Sequence, residues 1–173
     1  MMKIFHLSKM FSILAAAALI VSLSAQQAFA QGQGHSKGKD KKAEKKLEKE
    51  AKKLERTAEK TADQLGRDVV FCILDAHTDV GTAQELRTKY NDLVARLGSF
   101  PFGQFVAAVL MADRTDIPLD EILAKLEAEK SLGQIAKEAR VDMGDLRRGF
   151  GQFRSELARS MTNPPTRNCF EGA

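Results

Sequence analysis

The stretch SLGQIAKEARVDMGDL, residues 131–146, contains the start and stop signals of two consecutive short helices. Ser131 and Gln134 have the spacing of a capping box, in which each residue satisfies a free backbone N–H of the other. Asp142 is suited to cap the start of the second helix. The apolar residues recur at helical spacing and are Ile135, Ala136, Ala139, Val141 and Leu146. The stretch therefore predicts two short helices packed on a common core.

The same helical spacing continues on both sides of this stretch. Residues 143–157 repeat apolar side chains at intervals of 3, 4, 3 and 4, ending at Leu157. Thr82 and Glu85 form a second capping box, and Pro118 suits a helix start. The apolar run VVFCIL at 69–74 fits a buried strand or a buried helix, and the absence of a second strand candidate favours the helix. The expected fold is all-α, a compact bundle of five or six short helices over residues 67–161.

A four-residue pattern of apolar residue, Gly, Gln and apolar residue recurs near three proposed helix starts. FGQF stands at 102–105 and 150–153, and LGQI at 132–135. Glycine lets a neighbouring helix approach closely, so these positions are expected to be sites of helix packing. The unequal spacing does not define a repeat unit.

Residues 40–66 predict a long charged helical arm before the bundle. Its sequence is rich in the strong helix formers Ala, Leu, Glu and Lys. Leu47, Ala51, Leu54, Ala58, Thr61 and Leu65 follow a heptad rhythm. The arm could be a weak coiled coil or a solvated helix, and the poverty of Leu and Ile in this stripe favours the solvated helix.

The first thirty residues have the features of a cleavable signal peptide. A lysine-containing start precedes the apolar run ILAAAALIVSL, and the segment ends in Ala28-Phe29-Ala30, a small-x-small cleavage pattern. The alternative is an uncleaved N-terminal anchor. Residues 31–39 are Gly-rich and polar, which predicts a flexible lead, and residues 162–173 form a Pro-containing tail. We expect an exported protein, periplasmic or secreted, with no transmembrane segment after cleavage.

Charge and cysteine content divide the expected mature chain. Residues 31–60 carry eleven Lys/Arg against six Asp/Glu, and residues 61–173 carry fourteen against seventeen. The arm is therefore basic and the body slightly acidic. Cys72 and Cys169 both lie in the exported part, where an oxidising compartment favours a single intramolecular disulfide. Unpaired or intermolecular thiols are the alternative.

Residues 131–150 resemble a DNA-binding helix-turn-helix unit. Arg140 replaces the glycine usual at the turn, and a left-handed conformation there costs a non-Gly residue about 1–2 kcal/mol. Asp142 and Asp145 open the second helix, where DNA contacts would be made, and their carboxylates repel phosphate. Arg147, Arg148 and Arg154 could offset them. Export and the acidic body argue against DNA binding, so the segment is better interpreted as a helical packing unit.

Residues 100–141 are similar to a second pattern. FGQFVAA at 102–108, IPLDEI at 117–122 and SLGQIA at 131–136 look like segments of uncharacterised exported bacterial helical proteins. The resemblance covers about a quarter of the chain. It implies an exported helical domain and brings no catalytic residues.

Chemistry-bearing residues are few. His77 is the one candidate for a catalytic base, near Cys72, Asp75 and Asp79, and an enzyme using His77 with Asp75 or Asp79 remains an alternative. The spacing matches no zinc signature, and no phosphate loop, H-E-x-x-H or G-x-S-x-G motif occurs. We expect no cofactor, no metal and no enzymatic activity.

The basic arm is the remaining functional candidate. Its lysines could contact an anionic envelope surface, such as phospholipid or an acidic polymer, or an unknown protein. They are Lys41, Lys42, Lys45, Lys46, Lys49, Lys52 and Lys53. The simpler alternative is a solvated helix that aids solubility or acts as a spacer. The arm lacks Trp, Phe and Ile, so it would lie on a membrane and not in it. The leading hypothesis is a non-enzymatic exported helical protein that makes envelope contacts.

Overall fold

The computed structural model describes residues 37–164 and 169–170, with side chains from residue 40 onward. The described residues all belong to one compact unit. The predicted signal peptide and most of the flexible lead lie outside the described residues, as does most of the C-terminal tail.

Seven helices and no strands make up the described residues, so the all-α prediction is confirmed. They are α1 Lys37–Leu65, α2 Arg67–His77, α3 Ala83–Leu97, α4 Phe102–Asp113, α5 Leu119–Glu127, α6 Leu132–Glu138 and α7 Met143–Thr162. The six helices after α1 agree with the expected five or six, and VVFCIL is indeed helical, within α2. The long helix begins at Lys37, inside the segment expected to be a flexible lead.

The caps that the sequence predicted are formed. Glu85 N–H donates to Thr82 Oγ1 at the start of α3, and Thr82 N–H donates to Glu85 Oε2 at 2.8 Å. Ser131 and Gln134 make the same reciprocal pair at the start of α6. Helix α3 ends at Gly98, whose φ of 77° is a conformation that glycine adopts without steric cost. These helix ends are therefore determined by local residues.

Helix α4 is the centre of the core, with α1, α5 and α7 packed against it. Every residue from Phe105 to Met111 is buried. At the start of α4, aromatic rings from three helices meet edge to face, which is a favourable arrangement for ring quadrupoles. The ring centroids of Phe71 and Phe102 are 5.4 Å apart, and those of Tyr90 and Phe102 are 5.2 Å apart.

Helix α1 is buried along one face, which corrects the interpretation of residues 40–66 as a solvated arm. Leu47, Leu54 and Ala58 have no exposed surface. The helix packs on α2, α4, α6 and α7, with α7 as its most extensive neighbour. The alanines of the stripe contribute little apolar area themselves, but their small size lets neighbouring helices approach. The large apolar side chains come from the body, so the composition of α1 alone did not indicate its burial.

Glycine in the repeated pattern allows the closest helix approach. A Cβ at Gly103 would lie 2.3 Å from the carbonyl oxygen of Glu55, so the α4 and α1 backbones touch there. At Gly133 the nearest atoms belong to the Glu44 and Glu48 side chains of α1, from 2.9 Å. Gly151 has only one atom, Glu50 Oε1 at 3.9 Å, within 4 Å. The packing prediction is thus confirmed for 102–105 and 132–135, and not for 150–153.

A disulfide joins Cys72 of α2 to Cys169 of the C-terminal segment. The Cα atoms are 5.7 Å apart, within the usual range for a bridged pair. The structure thus contains the intramolecular pairing expected from the two cysteines. The adjacent Phe170 lies under Arg87, with the guanidinium carbon 4.2 Å from the ring centroid. The bond holds the end of the chain against α2 and α3.

Candidate functional site

The solvent side of α1 carries a continuous positive surface. Between residues 41 and 60, every exposed side chain is a lysine or an arginine. We call these nine residues the basic face: Lys41, Lys42, Lys45, Lys46, Lys49, Lys52, Lys53, Arg56 and Lys60. It includes the seven lysines singled out from the sequence.

The basic face lies opposite the buried stripe. At 100° per residue, its members span an arc of roughly 140° around the helix, centred opposite Leu47, Leu54 and Ala58. From Lys41 to Lys60 the face is about 29 Å long at 1.5 Å per residue. The exposed Asp63 marks its C-terminal end. The first five lysines, from Lys41 to Lys49, border one shallow surface depression.

The glutamates of the same segment are all half-buried. They occupy the borders between the basic face and the core, where the body provides partners. Glu48 accepts a hydrogen bond from Ser131 Oγ at 2.7 Å. Glu50 forms an ion pair with Arg154 of α7 at 2.9 Å and a second with Lys53 at 3.2 Å.

Glu59 extends this arrangement to the start of α4. Its Oε1 accepts a hydrogen bond from Gly103 N–H at 2.9 Å. A carboxylate at this position satisfies a free N–H of the first turn and opposes the positive end of the helix dipole. Pro101, at the N-cap, makes no side-chain capping bond. A residue 44 positions earlier in the chain therefore supplies the cap.

Burial at the contact between α1 and α4 raises the pKa of Glu55 above its ordinary value of 4.5. The nearby Glu59 also raises this pKa, whereas Lys52 and Arg56 lower it. Gly103 touches the backbone of Glu55. The half-buried Glu55 side chain is one of the five glutamates at the borders of the basic face.

The body therefore draws the glutamates of residues 41–60 partly away from solvent. In a free helix, Glu48 and Lys52 could pair at a spacing of four residues. In the folded protein, Glu48 accepts a hydrogen bond from Ser131, and the positive charges lie on the outer side. Of the basic face, Lys53 retains an ion pair, with Glu50. The folding of the body thus produces a surface with a higher local positive charge than the composition of α1 indicates.

The residues of the alternative catalytic site each interact with a different part of the structure. His77 Nδ1 lies 2.8 Å from the carbonyl oxygen of Ile73, and its ring stacks edge-on with Phe153. Asp75 Oδ2 accepts a hydrogen bond from Ala83 N–H, at the start of α3, at 3.1 Å. Cys72 is in the disulfide.

The backbone of Asp79 also has a structural partner. Its N–H donates to Asp113 Oδ1 at 3.2 Å, tying the loop after α2 to the end of α4. No group of three or more His, Cys, Asp or Glu side chains suited to a metal occurs among the described residues.

The two short helices predicted within residues 131–146 are formed, as α6 and the start of α7, and both helices pack on α1. Arg140 takes the left-handed turn conformation with φ of 56°. Asp142 Oδ1 accepts from Gly144 N–H at 2.7 Å, so this carboxylate is the cap of α7. Arg148 pairs with Asp145, and Arg154 pairs with Glu50 of α1. Two arginines that were candidates for phosphate contact are thus paired with acids of the protein.

A groove at the surface lies between α3 and α5 and is crossed by ion pairs. The two terminal guanidinium nitrogens of Arg96 donate hydrogen bonds to the two carboxylate oxygens of Glu127, at 2.7 and 2.6 Å. These hydrogen bonds lower the pKa of Glu127. Lys89 and Asp120 form a second bridge. These two pairs join the walls of the groove.

Sequence reasoning missed three elements of the site. Arg56 and Lys60 continue the lysine pattern at intervals of four residues, so their inclusion was predictable from helical periodicity. The role of Glu59 as a cap for α4 had no local signal, since its partner lies far along the chain.

No helix in the described residues has the length and apolarity needed to cross a membrane.

The chain was compared with protein families, characterised proteins and solved structures, and no significant match was found. The resemblance noted for residues 100–141 stays a prediction.

Proposed function

We propose that this is an exported, non-enzymatic helical protein that contacts an anionic component of the cell envelope through the basic face of α1. One observation carries the proposal: all nine exposed side chains between residues 41 and 60 are basic. The five glutamates of that segment are half-buried beside the body. Such a one-sign surface raises the local concentration of anionic partners and speeds their association.

The concentration of positive charge on the basic face does not stabilise the folded protein. Nine neighbouring cations repel each other, and like charges four residues apart destabilise a helix by about 0.2–0.5 kcal/mol per pair. A helix that served only to cover the core could intersperse acidic residues on its outer side. The segregation of charge supports a role in binding, which offsets the repulsion when the partner is present.

The proposal that the protein is exported rests on its sequence and is compatible with the disulfide. The first thirty residues have the charge, apolar run and cleavage pattern of a signal peptide. Disulfides such as Cys72–Cys169 persist mainly in oxidising compartments outside the cytosol. Together these observations support a location in the periplasm or outside the cell.

The proposal is tested with two variants of equal charge. The face variant carries Lys45→Gln, Lys49→Gln and Lys52→Gln. Binding of the form that begins at Gln31 to washed envelope fragments is measured by sedimentation, at low and high salt. We expect the face variant to lose binding and the wild type to be released by salt, since screening weakens exposed charges.

The control variant carries Lys89→Gln, Lys125→Gln and Lys130→Gln, three cations away from α1 that pair with acids of the body. These exposed pairs contribute about 0–1 kcal/mol each, so the fold should persist. Binding should be retained. Equal loss in both variants would show that net charge, and not the basic face, governs binding and would overturn the proposal.

A further inference from the structure

We infer that the anionic component is the headgroup surface of a lipid bilayer containing anionic lipids, and that α1 lies along this surface without inserting. This inference rests on the proposed function and specifies its partner. The alternative, an acidic polymer, becomes an outcome of the test.

The shape of the basic face suits contact with a flat anionic surface better than contact with a single linear polyanion. Its cations follow a straight, convex ridge about 29 Å long and spread over roughly 140° of the helix circumference. A single polyanion strand lying on this ridge would meet one row of cations. A fluid headgroup surface presents anions in two dimensions, so lateral rows of flexible lysines on both flanks of the ridge can reach it.

The chemistry of the basic face responds to charge density and not to a particular covalent structure. Eight of its nine members are lysines, with Arg56 the exception. Lysine acts as a point charge, whereas arginine provides the planar fork that recognises phosphate or carboxylate in two-point contacts. The face has no aromatic side chain on which a base or sugar could stack. These features are typical of lysine clusters that bind anionic lipids.

The basic face also lacks the means to enter the bilayer. No Trp, Phe, Ile or Leu is exposed between residues 41 and 60, and the two leucines there, Leu47 and Leu54, are in the core. Interfacial helices that insert need an apolar side toward the acyl chains. In α1 the apolar side is covered by the body, so contact is limited to headgroups and should be reversed by salt.

The body keeps the basic face preformed. Helix α1 packs on α2, α4, α6 and α7 along its length, and Glu48, Glu50 and Glu59 bind groups of the body. The helix therefore does not need to fold on the membrane, unlike a disordered basic segment that orders on binding.

The test uses vesicles of defined composition and the form that begins at Gln31. This form contains the whole buried set of the described residues, Leu47 to Ser160, and circular dichroism checks its folding. Sedimentation measures binding to vesicles of phosphatidylglycerol and phosphatidylcholine in equal parts and to pure phosphatidylcholine vesicles. A parallel titration uses soluble polyphosphate. The wild type, the face variant and the control variant are compared in every assay.

We expect binding to the anionic vesicles only, with release at high salt. The face variant should partition about 100-fold more weakly, because removing each lysine near an anionic surface weakens binding about fivefold and the three factors multiply. The control variant should bind like the wild type.

Three results would overturn the inference. Tight binding to polyphosphate with none to anionic vesicles would identify a polymer ligand and leave the proposed envelope contact standing. Binding to neither, together with no binding to envelope fragments, would reject both the inference and the proposed function. Retention on vesicles at high salt would show that α1 inserts, contrary to a contact limited to headgroups.

Discussion

Replacing Gly103 with alanine should destabilise the protein through the contact between α4 and α1. The added Cβ would lie 2.3 Å from the carbonyl oxygen and 2.6 Å from the Cα of Glu55. Both atoms are backbone, so no side-chain rotation relieves the overlap and the helices must separate by about 1 Å. Overpacking costs about 1–3 kcal/mol, and such a gap forfeits a quarter to a half of the dispersion energy at the contact. We expect a loss of about 3 kcal/mol.

Two other glycines of the same sequence pattern provide matched controls. At Gly151 the nearest atom lies at 3.9 Å, so alanine should fit and stabilise α7 by about 0.5–1 kcal/mol. At Gly133 the nearby atoms belong to the side chains of Glu44 and Glu48, which can move, so alanine should cost about 1 kcal/mol. The three substitutions are chemically identical and differ in what the methyl group meets.

Thermal unfolding followed by circular dichroism measures these differences. The Gly103→Ala variant should melt about 10 °C below the wild type, with Gly133→Ala between them and Gly151→Ala at or above the wild type. The contact between α1 and α4 at Gly103 would be refuted if Gly103→Ala melted at the same temperature as the wild type, because the two backbones could then not touch at that position. Equal destabilisation by Gly103→Ala and Gly151→Ala would refute it as well.

Three further predictions concern single interactions. The Glu59→Ala variant removes the acceptor for Gly103 N–H and should lower the free energy of unfolding in urea by about 1–2 kcal/mol, whereas Glu59→Gln keeps an acceptor and should lose less. Burial raises the pKa of Glu55 above 4.5, so the folded state binds the Glu55 proton more tightly than the unfolded state does. The free energy of unfolding therefore falls as the pH rises from 4.5 to the raised pKa of the folded state. The Glu55→Gln variant should accordingly be more stable than the wild type in urea at neutral pH, with the difference disappearing below pH 4.5; a constant difference would contradict this origin. Removing the disulfide by Cys72→Ser with Cys169→Ser should lower the free energy of unfolding by about 4–5 kcal/mol, since the bond spans 97 residues, and an unchanged urea midpoint would contradict a constraint on the unfolded chain.

Local structure was the part of the fold that sequence reasoning predicted well. The capping boxes at Thr82 and Ser131 and the glycine stop at Gly98 are formed as expected. These features depend on residues at most a few positions apart, so their energetics are present in the sequence itself. The left-handed turn at Arg140 also follows the expected motif geometry, despite the cost to a non-Gly residue.

Long-range packing was the part that sequence reasoning missed. The alanine-rich stripe of α1 indicated a solvated helix because its own apolar area is small. Its burial depends on large side chains supplied by α4 and α7, and on Gly103, which removes the steric barrier between two backbones. The partner of Glu59, at the start of α4, is equally distant in the chain. No periodicity within α1 encodes either contact.

The order of residues 41–60 is sufficient to predict a helix with its lysines on one side, because a period of 3.6 residues places them there. What this side presents to solvent depends on packing against the rest of the protein. Burial of Leu47 and Leu54 sets the rotation of α1, and burial outweighs pairs of surface charges that contribute only a few tenths of a kcal/mol each. With that rotation fixed, the glutamates meet partners in the body and the exposed surface of the segment is entirely basic.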